Sequence, residues 1–184
     1  MGQVLCYRGC KSLLFFSVLG LLFFSSCRST RSFTSPLPEE YSIRMSKSSA
    51  SGYKNVKRVR KYEFAHRDVP AAFDGCRLGF VSDLHYRSLL KEKGLRDITR
   101  LLNDLRLDAL LIGGDLHEGC EYVPDVIAAL GAVKTPLGTY AVLGNNDYEA
   151  CYDDILKEME RQGIHLLEHE ADTLKRNGGR IVIA

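Results

Sequence analysis

From Arg77 onward the chain alternates short apolar runs with longer stretches in which apolar residues return every third or fourth position. RLGFV (Arg77–Val81) and DALLIGG (Asp108–Gly114) have the length of buried strands. Between them Leu95, Ile98, Leu101, Leu102 and Leu105 mark one face of a helix. A second helix is expected around Val126–Leu130 and a third from Asp153 to Gln162, with Ile155 and Met159 turned inward and Gly163 as its stop. GTYAVLG (Gly138–Gly144) lies between these helices as a strand, and IHLL and RIVIA add two more short candidates. Strand and helix therefore alternate, which predicts an α/β domain with a layered, mostly parallel sheet and flanking helices.

Three unusual polar stretches each follow a strand directly: SDLHY (Ser82–Tyr86), GGDLHEG (Gly113–Gly119) and GNNDYE (Gly144–Glu149). In an open α/β sheet, ligands bind at the carboxyl ends of the strands. The three loops are therefore expected to converge despite their separation along the chain.

The part before Asp68 has a different character. Met1–Arg67 carries 12 Lys/Arg against 3 Asp/Glu, whereas Asp68–Ala184 carries 13 against 20, so the formal net charge of +2 hides a basic leader and an acidic body. A basic excess confined to the leader fits an anionic membrane surface, and no nucleic-acid partner is expected of the acidic body. Arg8 and Lys11 precede an apolar run, Leu13 to Phe24, that ends in two serines and Cys27. The run is shorter than the ~20 apolar residues that cross a bilayer comfortably, which favours a cleaved signal over a permanent span. Residues 1–27 are thus expected to be a signal segment or membrane anchor. LFFSSC resembles the bacterial lipoprotein signal, with Cys27 as the lipid acceptor, although Phe24 stands where a smaller aliphatic residue is usual. Residues 28–55, rich in Ser and interrupted by Pro36 and Pro38, read as a flexible linker, and VKRVRKYEFAHRDV (Val56–Val69) as an extended edge of the domain that follows.

The six cysteines show no obvious pairing. Cys6 and Cys10 lie in the leader, and Cys76, Cys120 and Cys151 are widely spaced, so structural thiols are expected. Cys120, beside GGDLHEG, is the one placed to be sensitised to oxidation by nearby chemistry.

Asp83 and His85 stand one residue apart. In an extended segment their side chains leave on the same side, so a carboxylate and an imidazole can grip one ion, although an ordinary polar turn has the same composition. Asp115 follows two glycines that allow close backbone approach, and it suits a helix cap equally well. Asn145 offers a neutral amide oxygen, a hard ligand, and is also a common turn residue. The coincidence of all three past strand ends favours a metal site.

Standing as Asp83-Leu84-His85, Gly114-Asp115 and Gly144-Asn145-Asn146-Asp147, these residues resemble the first three motifs of the calcineurin-like metallophosphoesterases: DxH, GD, and GNH followed by Asp or Glu. The similarity covers Val69–Ala184 and is strongest to a branch with membrane-associated enzymes, some acting on lipid-linked substrates. It implies that Asp83 and His85 hold the first of two divalent ions (Mn, Fe or Zn), that Asp115 bridges both, and that Asn145 holds the second. Ions held about 3.5–4 Å apart activate a water and neutralise phosphoryl oxygens, so no protein nucleophile is needed. The resemblance therefore implies a phosphatase or phosphodiesterase acting on a phosphoester small molecule or lipid.

Two departures qualify it. Asn146 occupies the position of the family's His, which donates a proton or hydrogen bond at the attacked phosphate. An amide can donate an N–H but is no general acid near neutral pH, a difference worth a factor of about 10² to 10⁴ for a demanding leaving group. His117 is the candidate to reach the same place, which makes Asn146 and His117 the expected catalytic residues. The family also completes its site with a further His and a GHxH motif that have no counterpart before Ala184, and His165 and His169 read as surface or partly buried instead. Residues 56–184 are thus expected to be the N-terminal portion of a metallophosphoesterase domain, an incomplete fold with its second sheet largely missing and one weakly bound ion. The expected location is the bacterial cell envelope, at the membrane, and the alternative function is an inactive binding or scaffold remnant.

Overall fold

A computed structural model describes residues 3–9, 12–17, 41–48, 50 and 52–184. Gln3–Gly9 (β1) and Ser12–Ser17 (β2) pair antiparallel, with Cys6 opposite Phe15, and both run beside Arg77–Ser82. Cys27, Pro36, Pro38 and the end of the apolar run, residues 18–24, lie outside the described residues. Among the described residues no helix is long and apolar enough to cross a membrane.

Tyr41–Ser48 (β3) and Val59–His66 (β4) form an antiparallel pair in which Ile43 stands opposite Phe64 and Met45 opposite Tyr62. The stretch read as a flexible linker therefore contains a strand. The extended edge foreseen from Val56 onward supplies the hydrogen-bonding ladder that it needs.

The remaining elements follow the predicted alternation: Arg77–Ser82 (β5), Glu92–Asp104 (α1), Ala109–Ile112 (β6), Val123–Gly131 (α2), Thr139–Ala141 (β7), Asn145–Ala150 (α3), Tyr152–Gln162 (α4) and Ile164–Leu166 (β8). β5, β6, β7 and β8 are parallel neighbours in that order. Each crossover thus steps the same way along the sheet. With right-handed connections this puts the helices on one face, where α1 meets α2 and α2 meets α4.

Burial explains the pattern of the sequence. β6 buries Ala109, Leu110 and Ile112, while α1 turns Leu95, Ile98, Leu101 and Leu102 inward and α2 turns Val126, Ile127 and Leu130. A side chain as fully buried as Leu102 contributes about 1.5–3 kcal/mol by leaving water. α4 buries Ile155 and Met159 and stops at Gly163, whose φ of 67° suits a residue without a Cβ and whose N–H caps the carbonyls of Met159 and Glu160.

Asp172–Arg176 (β9), which the apolar pattern did not reveal, pairs antiparallel with Gly179–Ile183 (β10) as a separate two-stranded sheet. The turn between them is Asn177-Gly178, both at positive φ, a recognised hairpin signal. The architecture is an α/β sheet with four parallel strands and flanking helices, a partial metallophosphoesterase fold.

Candidate metal centre

The DxH segment is not extended. Asp83 and His85 lie just past the end of β5 with φ of 54° and 41°, left-handed conformations that cost a residue with a Cβ on the order of 1 kcal/mol or more each. Backbone bonds to the loop after β6 hold them there. The Asp83 N–H donates to Gly114 O at 3.0 Å, that of His85 to Asp115 O at 3.0 Å, and that of Tyr86 to Leu116 O at 2.9 Å. Asp115 itself has φ 54°. The expected convergence of Asp83 with His85 is present, but tight loop curvature produces it rather than strand alternation.

The side chains of Asp83, His85 and Asp115 each offer a ligand atom, and these atoms all lie within 4.8 Å of one another. Asp83 is exposed and the other two half-buried, so the group opens to solvent at the carboxyl edge of the sheet. Two carboxylates and an imidazole are donors that suit Mn, Fe or Zn.

The third loop reaches this group because two glycines touch. A Cβ on Gly114, which has φ 81°, would stand 2.1 Å from Gly144 N, and one on Gly144 would stand 2.2 Å from Asp115 Oδ1. GNNDYE, read as a loop, opens α3, with Gly144 as its N-cap. The Asp147 carboxylate stabilises that start by accepting the Gly144 N–H at 2.9 Å. It also accepts the N–H groups of Asp115 at 2.8 Å and Leu116 at 3.2 Å. Asp147 is fully buried. Sequence reasoning gave it no role, although an acid three residues into a helix after a glycine N-cap was a readable signal.

Asn145 is exposed at the first turn of α3, and its amide donates to Asn146 Oδ1 at 3.1 Å. Asn146 comes closer to the group. Its N–H donates to Asp115 Oδ1 at 3.1 Å, and its side-chain Nδ2 stands 3.4 Å from His85 Nδ1. His117, expected to substitute for the missing imidazole, is only 3% exposed. Its Nδ1 accepts the Gly119 N–H at 3.2 Å, and its Nε2, buried without a hydrogen-bond partner, faces Asp147 Oδ1 at 3.6 Å. His117 is thus packed against Asp147, and its imidazole is not exposed at the surface of the loops. Glu118, unassigned from the sequence, meets His85 Nδ1 at 2.5 Å. His165 and His169 are exposed, and His165 stacks on Tyr140.

Cys120 and Cys151 are not free thiols but a disulfide, with Cα atoms 5.2 Å apart. Spacing concealed the pair, because the second and third loops bring the two residues together only in the fold. Cys76 is a free and buried thiol, and burial, with Asp108 nearby, pushes its pKa up to about 11.

The model of the calcineurin-like phosphoesterase family matches residues 76–179, more than half of the chain and all of this loop cluster. The chain belongs to the calcineurin-like phosphoesterase family. Relatives of this phosphoesterase chain include a Danio rerio transmembrane protein with metallophosphoesterase domain, 27% identical over 59% of the chain and 26% of that protein. An uncharacterized metallophosphoesterase of Aquifex aeolicus is 27% identical over 62% of the chain and 44% of its own length. Another from Helicobacter pylori is 32% identical over 49% of the chain and 25% of its own length. The chain spans less than half the length of each of these relatives. No solved structure matches the chain.

Proposed function

We propose that this chain carries the metal-binding loops of a phosphoester hydrolase, a phosphatase or phosphodiesterase. The observation that carries the proposal is the approach of Asp83, His85 and Asp115 ligand atoms to within 4.8 Å at the carboxyl edge of a parallel sheet. Asp83, His85 and Asp115 would hold a first divalent ion, and Asp115 with Asn145 would hold a second. Three donors against two make one ion the better held by these residues, and weakly. When bound, such ions supply Lewis acidity toward the phosphoryl oxygens and the attacking water.

The residues themselves do the rest. In hydrolysis a water oxygen bonds to phosphorus as the ester P–O bond breaks with its electron pair going to the departing oxygen, and the proton lost by the water ends on that oxygen or, where it leaves as an anion, in bulk solvent. Asn146, whose backbone N–H donates to Asp115 Oδ1, would offer its side-chain N–H to a phosphoryl oxygen. Its amide cannot protonate a leaving oxygen, and His117 is only 3% exposed. The site is therefore best matched to a leaving group that departs readily as an anion.

A membrane surface as partner is supported by the leader and by residues 41–67, which hold 8 Lys/Arg against 1 Asp/Glu and include exposed Ile43 and Met45. It brings a lipid-linked phosphoester within reach as substrate. The Cys120–Cys151 disulfide is of the kind that persists in oxidising compartments, which fits the cell envelope.

The test is to strip the purified chain with chelator, reload it with Mn²⁺ or Zn²⁺, and follow hydrolysis of an aryl phosphomonoester and a bis-aryl phosphodiester. Turnover that disappears in Asp115→Ala is expected, with metal analysis showing closer to one ion than two per chain. A chain that takes up no metal and releases no product would be a scaffold remnant instead.

A further inference from the structure

We propose that Glu118 is a positioning residue for His85, fixing the imidazole so that Nε2 is the nitrogen offered to the ion. The inference rests on the metal-centre reading above and adds to it a residue from outside the three motifs.

Glu118 Oε1 stands 2.5 Å from His85 Nδ1. The two residues come from different loops but share one ladder, since the Tyr86 N–H donates to Leu116 O at 2.9 Å and the Glu118 N–H donates back to Tyr86 O at 3.1 Å. The backbone therefore sets Glu118 beside the ring. Asn146 Nδ2 approaches the same nitrogen at 3.4 Å, and the two contacts exclude each other. An amide donor needs a bare Nδ1, whereas a carboxylate needs Nδ1–H. The shorter, charge-assisted contact prevails, which puts the proton on Nδ1 and leaves the lone pair on Nε2. A carboxylate in this place also makes the ring a better electron donor, and removing such a partner typically weakens metal affinity 10–100-fold.

A purely structural role is a poor account of this pair. The His85 and Glu118 side chains are 22% and 38% exposed, and ion pairs so placed add little to stability.

The experiment compares wild type, Glu118→Ala and Glu118→Gln. Nitrogen-15 NMR of the ion-free chain reads the His85 tautomer, and calorimetry with Mn²⁺ reads affinity. Wild type should show His85 protonated on Nδ1, and Glu118→Ala a mixture of tautomers. Mn²⁺ affinity in Glu118→Ala should fall about 10–100-fold with the thermal midpoint unchanged. Glu118→Gln, which keeps a neutral acceptor, should restore the tautomer fully and the affinity in part. An unchanged tautomer and affinity in Glu118→Ala would overturn the proposal, as would an affinity loss that Glu118→Gln does nothing to repair. If wild type itself binds no Mn²⁺, the metal-centre reading fails, while the ion-free tautomers still decide whether Glu118 orients His85.

Discussion

The carboxylate of Asp147 accepts the backbone N–H of Asp115 at 2.8 Å, so the start of α3 sets the position of the acid that the loop after β6 offers to the site. The same carboxylate holds Leu116 and Gly144, making one buried side chain the junction of two loops. Removing it in Asp147→Ala strands three N–H groups, one buried and two partly buried. Each hydrogen bond to a charged group is worth about 1.5–3 kcal/mol, and because the three are not additive a total loss of about 4 kcal/mol is expected. Urea denaturation measures it, and a midpoint close to that of wild type would mean the loops are held by other contacts.

The Cys120–Cys151 disulfide closes a loop of 31 residues between the end of the second loop and the end of α3. On loop-entropy grounds its reduction should lower stability by about 3–4 kcal/mol. Cys151→Ser should reproduce the loss and make the chain insensitive to reductant. Denaturation curves with and without dithiothreitol test both statements.

Asn146 lies beside the candidate ligands but cannot transfer a proton. Asn146→His should therefore raise kcat on an alkyl phosphoester, whose leaving oxygen needs a proton, by at least about tenfold, while changing turnover of an aryl phosphoester little. Equal gains on both substrates would indicate that the new side chain acts by binding phosphate rather than by acid catalysis.

Acid should loosen the contact between α1 and the segment before β4. The Asn55 side chain and backbone N–H donate to Asp97 Oδ2 at 2.8 Å and 3.1 Å, and these bonds hold the Asp97 carboxyl below its ordinary range. Because the folded pKa is the lower one, the stabilisation is fully present above the unfolded value of about 3.9 and is lost as pH falls through the folded value. Asn55→Ala should then be less stable than wild type at pH 6, with the gap narrowing toward pH 2.5. Thermal melts across that range supply the check.

Local pattern determined the succession of elements. The three-to-four spacing of Leu95, Ile98, Leu101 and Leu102 and the short apolar runs at Leu78–Val81 and Ala109–Ile112 each need a buried face, and a parallel sheet with helices against it supplies one. The same reading singled out Asp83, His85, Asp115 and Asn145 as candidate ligands because their three polar stretches all directly follow strands, and the fold brings ligand atoms of the first three within 4.8 Å of one another. Side-chain orientation belonged to the tertiary structure. Asp83, His85 and Asp115 take left-handed conformations that carry local strain, and bonds between loops about 30 residues apart in sequence accompany them there. Burial of His117, the junction at Asp147, the Glu118 contact and the Cys120–Cys151 pairing all arise where the second loop meets the first or third. Sequence spacing records which residues follow one another, whereas these contacts depend on Gly114 and Gly144 letting two backbones touch.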